Sequence, residues 1–148
     1  MNTENTGAQI LSEHKHLRAL LQALEQHLQQ PVDSDAWLPR LRNMLSGLVD
    51  LCSDHFRLEE ETGLHIQLRD QSPRLASRLE QLLSDHSRIL DELQKVAADL
   101  PTDSVVANEV GPLKERALGA LQDIREHERA ENEVMMDAYW DDLGGEAG

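Results

Sequence analysis

The chain has 148 residues, and its 14 Lys and Arg against 28 Asp and Glu give a formal net charge of −14 at pH 7. This acidity argues against nucleic-acid binding, which needs clustered Lys and Arg, and equally against an anionic membrane surface. A single cysteine permits no internal disulfide and no thiolate-based metal site, which is consistent with a cytoplasmic location. No apolar run approaches about 18 residues, and the polar start MNTENTGAQ resembles neither a signal peptide nor a transit peptide.

Apolar residues recur at helical spacing in four stretches, and no alternating strand pattern competes with them. The stretches run from Ile10 to Leu28, from Leu38 to Cys52, from Leu75 to Leu93 and from Leu113 to Val134. Turn-forming residues separate them at Pro31–Asp35, Asp70–Pro73 and Pro101–Gly111. Gly63 lies within the second helical segment and is expected either to kink the helix or to end it.

This pattern predicts an all-α fold, in which four helices of about 20–35 residues form an antiparallel up-down-up-down bundle. We expect a single domain over residues 1–148, with an ordered bundle over about residues 8–140 and short frayed termini.

One histidine lies on the apolar stripe of each predicted helix: His14, His55, His86 and His127. Two of them are followed four residues later by a carboxylate, Glu59 in the second helix and Glu131 in the fourth. Because positions i and i+4 share a helix face, each imidazole and its carboxylate point into the same space.

The spacing of the four histidines places them at one level of the bundle. Intervals of 41, 31 and 41 residues separate them. Residues at equal depth in an antiparallel helix pair are equidistant from the turn, so turns are expected at positions 34.5, 70.5 and 106.5. The first two positions fall on Ser34–Asp35 and Asp70–Gln71, and the third is the centre of Pro101–Gly111.

Four imidazoles and two carboxylates in a leucine-lined interior predict a metal site, because unpaired buried charge is very costly. A pair of cations would satisfy them, with two imidazoles on each metal and the two glutamates bridging. Imidazole and carboxylate without thiolate favour iron, with manganese or zinc as alternatives. The predicted metal ligands are His14, His55, Glu59, His86, His127 and Glu131.

The other histidines, His16, His27 and His65, are expected to be solvated or peripheral, although His16 is a rival to His14 as a ligand. An acidic residue precedes each predicted ligand histidine, and we expect at least one of these acids to accept a hydrogen bond from a ligand histidine on a neighbouring helix. These acids are Glu13, Asp54, Asp85 and Glu126.

The single thiol, Cys52, lies one helical turn before His55. We interpret it as a small core residue, with oxidative sensing as the alternative.

Four segments carry a family resemblance: EHKHLRALL from Glu13, HFRLEE from His55, DHSRIL from Asp85 and HERAE from His127. With them the chain resembles the hemerythrin-like, or HHE cation-binding, family over essentially its whole length. The resemblance implies a four-helix bundle around a non-haem di-iron centre. It also implies that each iron takes two histidines and that two glutamates bridge; these ligands are His14 and His55, His86 and His127, and Glu59 and Glu131.

The chain departs from the oxygen-carrying members of that family at two places. Leu90, rather than a histidine, stands four residues after His86, and Glu131 with Asn132 replaces the HxxxxD pattern of the fourth helix. The set of four histidines and two glutamates is more similar to the iron-cluster repair and nitric-oxide-stress branch, and to peroxide-responsive or iron-sensing members.

With this ligand set each iron has fewer than six ligands unless solvent or an oxo or hydroxo bridge completes it. The open positions are where nitric oxide, peroxide or dioxygen would bind. The leading hypothesis is therefore a non-haem di-iron protein that binds or reduces a small oxidant in the oxidative or nitrosative stress response. The alternative is an iron-binding store, donor or sensor module without turnover. The weakest reading is a structural bundle with an adventitious metal.

Overall fold

The computed structural model describes residues 3–32, 35–101 and 110–147, and it describes side chains between residues 8 and 140 of these ranges. Within them the backbone forms α-helices and one short 3-10 helix at Pro73–Leu75, without a strand. The α-helices are α1 Thr3–Gln29, α2 Trp37–Glu61, α3 Leu64–Gln71, α4 Ala76–Ala98 and α5 Val110–Ala147. The predicted all-α class is confirmed.

The four long helices pack as a bundle in which α1 contacts α2, α2 contacts α4, α4 contacts α5, and α5 returns to contact α1. They contain 27, 25, 23 and 38 residues in chain order. Short connections between helices of this length make neighbours antiparallel. The prediction of a four-helix bundle is therefore confirmed, and the short helix α3 is an addition to it.

Helix α2 ends at Glu61 instead of continuing to the predicted turn near residue 70. Gly63 has a φ of 68°, in the left-handed region that favours glycine. This residue redirects the chain into α3, which packs against α2, α4 and α5. Of the two outcomes expected at Gly63, the structure has the end of a helix.

The apolar residues form two clusters, and on α1, α4 and α5 the predicted ligand histidine lies between residues of the two. On α1, Ile10 belongs to the smaller cluster and Leu17 to the larger one, with His14 between them. On α5, Ile124 and Val134 belong to the larger and smaller clusters respectively. Full burial of one such side chain contributes about 1.5–3 kcal/mol, so the two clusters fix the depth of the helices relative to one another.

His27 and Trp37 join α1 to α2 at one end of the bundle. The His27 ring donates through Nε2 to the Trp37 carbonyl at 2.9 Å, and Trp37 Nε1 donates to the His27 carbonyl at 3.1 Å. The two rings stack with their centroids 5.0 Å apart. The expectation that His27 is solvated or peripheral is therefore wrong, because the ring is buried and both polar contacts tie it to the next helix.

Some of the predicted turns and both predicted frayed ends involve residues outside the described part of the chain. Residues 33 and 34 of the first turn and residues 102–109 of the third lie outside it. So do the side chains of residues 1–7 and 141–148, on which the expected fraying falls. Among the described helices, none has a segment long and apolar enough to cross a membrane.

Candidate metal centre

The structure brings the six predicted ligand residues together at one level of the bundle. Their ligand atoms form two overlapping groups of four, and within each group all atoms lie within 4.8 Å of one another. Both glutamates belong to both groups. We call His14 and His55 with the shared glutamates the first subsite, and His86 and His127 with the same glutamates the second subsite; the shared pair is Glu59 and Glu131.

Helix periodicity accounts for how each imidazole meets a carboxylate. His55 and Glu59 are one turn apart on α2, and Nε2 of the ring lies 2.6 Å from Oε1 of the carboxylate. His127 and Glu131 repeat this on α5, with 3.5 Å between Nε2 and Oε2. All six ligand side chains are at most 5 % exposed. Each i, i+4 pair therefore brings a ring and a carboxylate into the same water-poor interior.

Contacts between helices complete the two subsites. In the first, His14 Nε2 lies 3.0 Å from His55 Nε2 and 2.9 Å from Glu131 Oε1. In the second, His86 Nε2 lies 3.2 Å from Glu59 Oε2. Each glutamate thus has one oxygen beside a histidine of its own half of the chain and reaches a histidine of the other half, which is the arrangement that a bridging carboxylate requires.

The outward-facing Nδ1 atom of every predicted ligand histidine has an oxygen acceptor on a neighbouring helix. His55 Nδ1 lies 2.8 Å from Glu13, and His127 Nδ1 lies 3.4 Å from Asp85. The remaining pairs are His86 with Glu60 at 3.1 Å and His14 with Asn132 at 3.2 Å. Because these oxygens can only accept, each Nδ1 is the donor, and Nε2 faces the centre, where its lone pair could bind a metal.

Two of the four acids that precede the ligand histidines therefore act as expected, each toward the next helix. The other two have exposed partners instead: Asp54 pairs with Arg57, and Glu126 accepts from Gln122 at 3.3 Å. The first pair of acids contacts predicted ligand histidines, while the second pair belongs to the solvated surface.

A metal fits the residues present, because the interior polar atoms lack other partners. Several buried atoms at the centre have no hydrogen-bond partner among the described residues: Glu59 Oε1 and Oε2, His86 Nε2, His127 Nε2 and Glu131 Oε2. An unsatisfied buried polar group costs about 1–3 kcal/mol, and more when it is charged. These atoms converge at short distances without hydrogen-bond geometry, which is the behaviour of donor atoms arranged around cations.

The electrostatics of the centre also favours positive charge. Burial opposes a charge on His55, but contacts with Glu131 and Glu59 outweigh burial and raise the pKa of His55 to about 11. Burial likewise opposes ionisation of Glu131, yet hydrogen bonds from the surrounding histidines hold its pKa well below the usual range. The Glu131 carboxylate therefore remains charged in the interior and attracts a cation, whether a proton or a metal.

Phe56 packs against the rings of the second subsite from the side of the larger apolar cluster. Its ring stacks on His86 with centroids 4.0 Å apart and meets the edge of His127 at 5.4 Å.

Cys52 lies one turn before Phe56 and is buried. Burial and the nearby Glu128 carboxylate raise the pKa of its thiol to about 12. A thiol held in its neutral form is a poor nucleophile and metal ligand, so the interpretation of Cys52 as a core residue is favoured.

Glu128 is a buried acidic residue beside the first subsite that the sequence analysis did not single out. Its Oε1 lies 3.8 Å from His14 Nδ1 and has no hydrogen-bond partner within the described part of the chain. Burial raises the pKa of this carboxyl. Its position directly after a ligand histidine was visible in the sequence, but only the rotation of α5 shows that it faces inward.

The structure also decides the position of the two histidines nearest to the predicted ligands. His16 is exposed while His14 is buried, so His14 is the one that faces the centre. His65 was expected to be solvated or peripheral, which is wrong: it is 4 % exposed, and its Nε2 lies 3.5 Å from Glu59 Oε2. It is brought there by α3, the helix that the periodicity alone did not separate from α2.

An offset of 72 residues relates the two subsites to one another. The matched pairs are Glu13 and Asp85, His14 and His86, His55 and His127, and Glu59 and Glu131. Three other pairs at the same offset differ in chemistry: Phe56 and Glu128, Glu60 and Asn132, and His65 and Asp137. The ligands are therefore alike in the two halves, and the residues around them are not.

Comparison with known proteins supplies one match. The sequence model of the hemerythrin HHE cation-binding domain matches residues 6–139, which include every ligand discussed above. A search of curated proteins and a search of solved structures each found no match. Because the matched segment covers most of the chain and its helical bundle carries the buried histidines and glutamates, the chain belongs to the hemerythrin HHE cation-binding domain family.

Proposed function

We propose that this protein holds a non-haem di-iron centre and uses it to bind or reduce a small oxidant, namely nitric oxide, peroxide or dioxygen. The observation that supports this most strongly is the pair of overlapping four-atom ligand groups that share two carboxylates. Nitrogen and oxygen donors without thiolate suit iron, and two shared carboxylates suit a pair of ions better than one. Manganese or zinc in the same positions would keep the site and remove the redox function.

In this proposal, His14 and His55 hold one ion, His86 and His127 hold the other, and the shared glutamates bridge. Two adjacent iron ions supply open coordination positions and electrons for a small oxidant. The protein contributes orientation, because the acceptors at Nδ1 keep every Nε2 lone pair directed inward.

Exclusion of water and of large molecules is the second contribution of the protein. The ligand side chains are at most 5 % exposed, and apolar clusters lie above and below them. Phe56 covers His86 with its ring face. A buried, narrow centre of this kind favours a diatomic or peroxide ligand over a larger substrate.

The proposal is tested by purifying the protein without oxygen, measuring its metal content, and recording its absorption spectrum before and after mixing with each oxidant in a stopped-flow instrument. We expect two irons per chain and a spectral change with at least one oxidant. His14→Ala should lower the iron content, whereas His16→Ala, two residues away and exposed, should not. Two irons without any spectral change would contradict the oxidant function.

The second candidate is an iron store, donor or sensor without turnover. It is favoured by one observation: among the described residues each subsite draws on four side chains, two of which are shared with the other subsite, so metal release needs few bonds to break. A chelator distinguishes the two candidates. A store or donor loses iron within minutes, while an oxidant-binding centre keeps it over many cycles of oxidation and reduction.

A further inference from the structure

His65 is a buried histidine whose ring nitrogens are both without a hydrogen-bond partner within the described part of the chain. The other five buried histidines there each have at least one hydrogen-bonded ring nitrogen. A neutral imidazole has one N–H donor and one lone pair, so leaving both unused in an apolar interior costs about 1–3 kcal/mol for each group. Such a cost is expected only where the ring interacts with a neighbouring functional group.

The nearest such group is Glu59. His65 Nε2 lies 3.5 Å from Glu59 Oε2, just longer than a good hydrogen bond, and its ring centroid is 5.9 Å from that of His86. Glu59 is fully buried, and neither of its oxygens accepts a hydrogen bond from a described residue. Among the described residues, two nitrogens lie within 4.0 Å of Oε2: Nε2 of His65 and Nε2 of His86, which is a predicted ligand.

In the described part of the chain, the other shared glutamate, Glu131, has no such neighbour. The residue that matches His65 at the 72-residue offset is Asp137, which extends away to pair with Arg78 at 2.8 Å and is partly exposed. The nitrogen 2.9 Å from Glu131 Oε1 is instead Nε2 of His14, a predicted ligand. The break at Gly63 causes this difference, because α5 runs unbroken where α2 stops and α3 begins.

We propose that His65 is a positioning residue for Glu59: its Nε2–H donates to Glu59 Oε2 and holds that carboxylate in the bridging orientation. The inference rests on the proposed function only in requiring a bound metal. Because Oε2 is the oxygen directed at His86, the hydrogen bond acts mainly on the second subsite. The two metals are therefore held with unequal affinity, although their ligands are the same.

The variants that test this are His65→Gln, whose amide nitrogen replaces the Nε2 donor, and His65→Leu, which removes it. Anaerobic titration with Co(II), followed by its visible absorption, gives the affinity of each binding step. We expect His65→Leu to weaken one step by about tenfold or more, as loss of a hydrogen bond to a metal ligand commonly does. His65→Gln should restore most of that affinity.

His27→Leu is the matched control, because it also removes a hydrogen bond of a buried histidine but lies at the other end of the bundle. It should lower the melting temperature and leave both Co(II) steps unchanged. If His65→Leu behaved like this control, with lower stability and unchanged affinities, His65 would be structural and the inference would be wrong. If the wild-type protein bound no Co(II), the metal centre itself would be refuted.

A measurement on the wild-type protein covers the case in which His65→Leu does not fold. In the Zn(II)-loaded protein, ¹⁵N NMR of the histidine rings reports which nitrogen of His65 carries the proton. A proton on Nε2 in slow exchange supports donation to Glu59. A proton on Nδ1 together with a metal-shifted Nε2 would make His65 a direct ligand and would overturn the positioning role.

Discussion

The two subsites of this protein have the same ligands in different surroundings. On the α1–α2 side, His14 contacts the neutral amide of Asn132 and lies near the buried carboxyl of Glu128. On the α4–α5 side, His86 contacts the carboxylate of Glu60 and is covered by the ring of Phe56. Glu60 and Asn132 are 72 residues apart, and so are Phe56 and Glu128, so the two subsites differ at matched positions.

The predicted ligand set and its electrostatic environment are therefore specified by different parts of the sequence. A carboxylate acceptor at Nδ1 makes an imidazole a stronger donor than an amide acceptor does. An aromatic face excludes water, whereas a buried carboxyl adds negative charge when it ionises. We therefore expect His86 to be a stronger donor to a bound metal than His14, the residue at the matching position.

The largest expected effect comes from removing one half of the centre at a time. The double variant His14→Ala/His55→Ala should lower the metal content from two ions per chain to one, and so should His86→Ala/His127→Ala. Each removes both imidazoles of one subsite and leaves four donor atoms in the other. Metal analysis after anaerobic reconstitution measures this. Complete loss of metal in one double variant alone would show that binding is sequential, with that subsite filled first.

Substitutions of Phe56 and Glu128 come next, and the two expected changes in stability differ in size. Phe56→Ala should destabilise the protein by about 3 kcal/mol or more, because it leaves a cavity between the large apolar cluster and the rings of the second subsite. Glu128→Gln removes a buried carboxyl without a hydrogen-bond partner at Oε1 and should change the free energy of unfolding by no more than about 1 kcal/mol. Urea unfolding of the two variants provides the comparison, and equal losses would contradict it.

Much of the fold could be predicted from the sequence, because each long helix buries a continuous apolar stripe. The common depth of the four histidines followed from the same rule, since antiparallel helices pair residues equidistant from a turn. That rule needs no side-chain detail. The structure accordingly places all six predicted ligand residues in one cluster, while their role as metal ligands stays a prediction.

The surroundings of the centre could not be predicted in this way. His65 is buried because Gly63 ends α2, and a single glycine allowed either a kink or an end. Glu60 and Asn132 reach rings on other helices, which depends on how each helix is rotated about its axis. Periodicity gives the buried face of a helix but not the neighbour that a polar residue at the edge of that face will meet.

Exchanging the Nδ1 acceptors should make the two subsites more alike. Asn132→Asp gives His14 a carboxylate acceptor like that of His86, and Glu60→Gln gives His86 an amide. We expect Asn132→Asp to strengthen and Glu60→Gln to weaken one metal-binding step, each by about tenfold. Two-step Co(II) titrations measure both. Changes of the same sign in the two variants would contradict control of metal affinity by the Nδ1 acceptors.

The smallest effect is expected from an acid that precedes a ligand histidine without contacting one. Glu13 accepts from His55 at 2.8 Å, so Glu13→Gln should weaken metal binding in the first subsite by up to about tenfold. Asp54 is adjacent to the same histidine but is exposed and pairs with Arg57 on its own helix, so Asp54→Asn should leave metal affinity unchanged. Both variants remove one negative charge at a residue near His55, and metal titrations at equal ionic strength therefore separate a hydrogen bond across helices from general electrostatic attraction. Equal losses in the two variants would assign the effect to charge alone and would remove the distinction between orienting acids and surface acids in this protein.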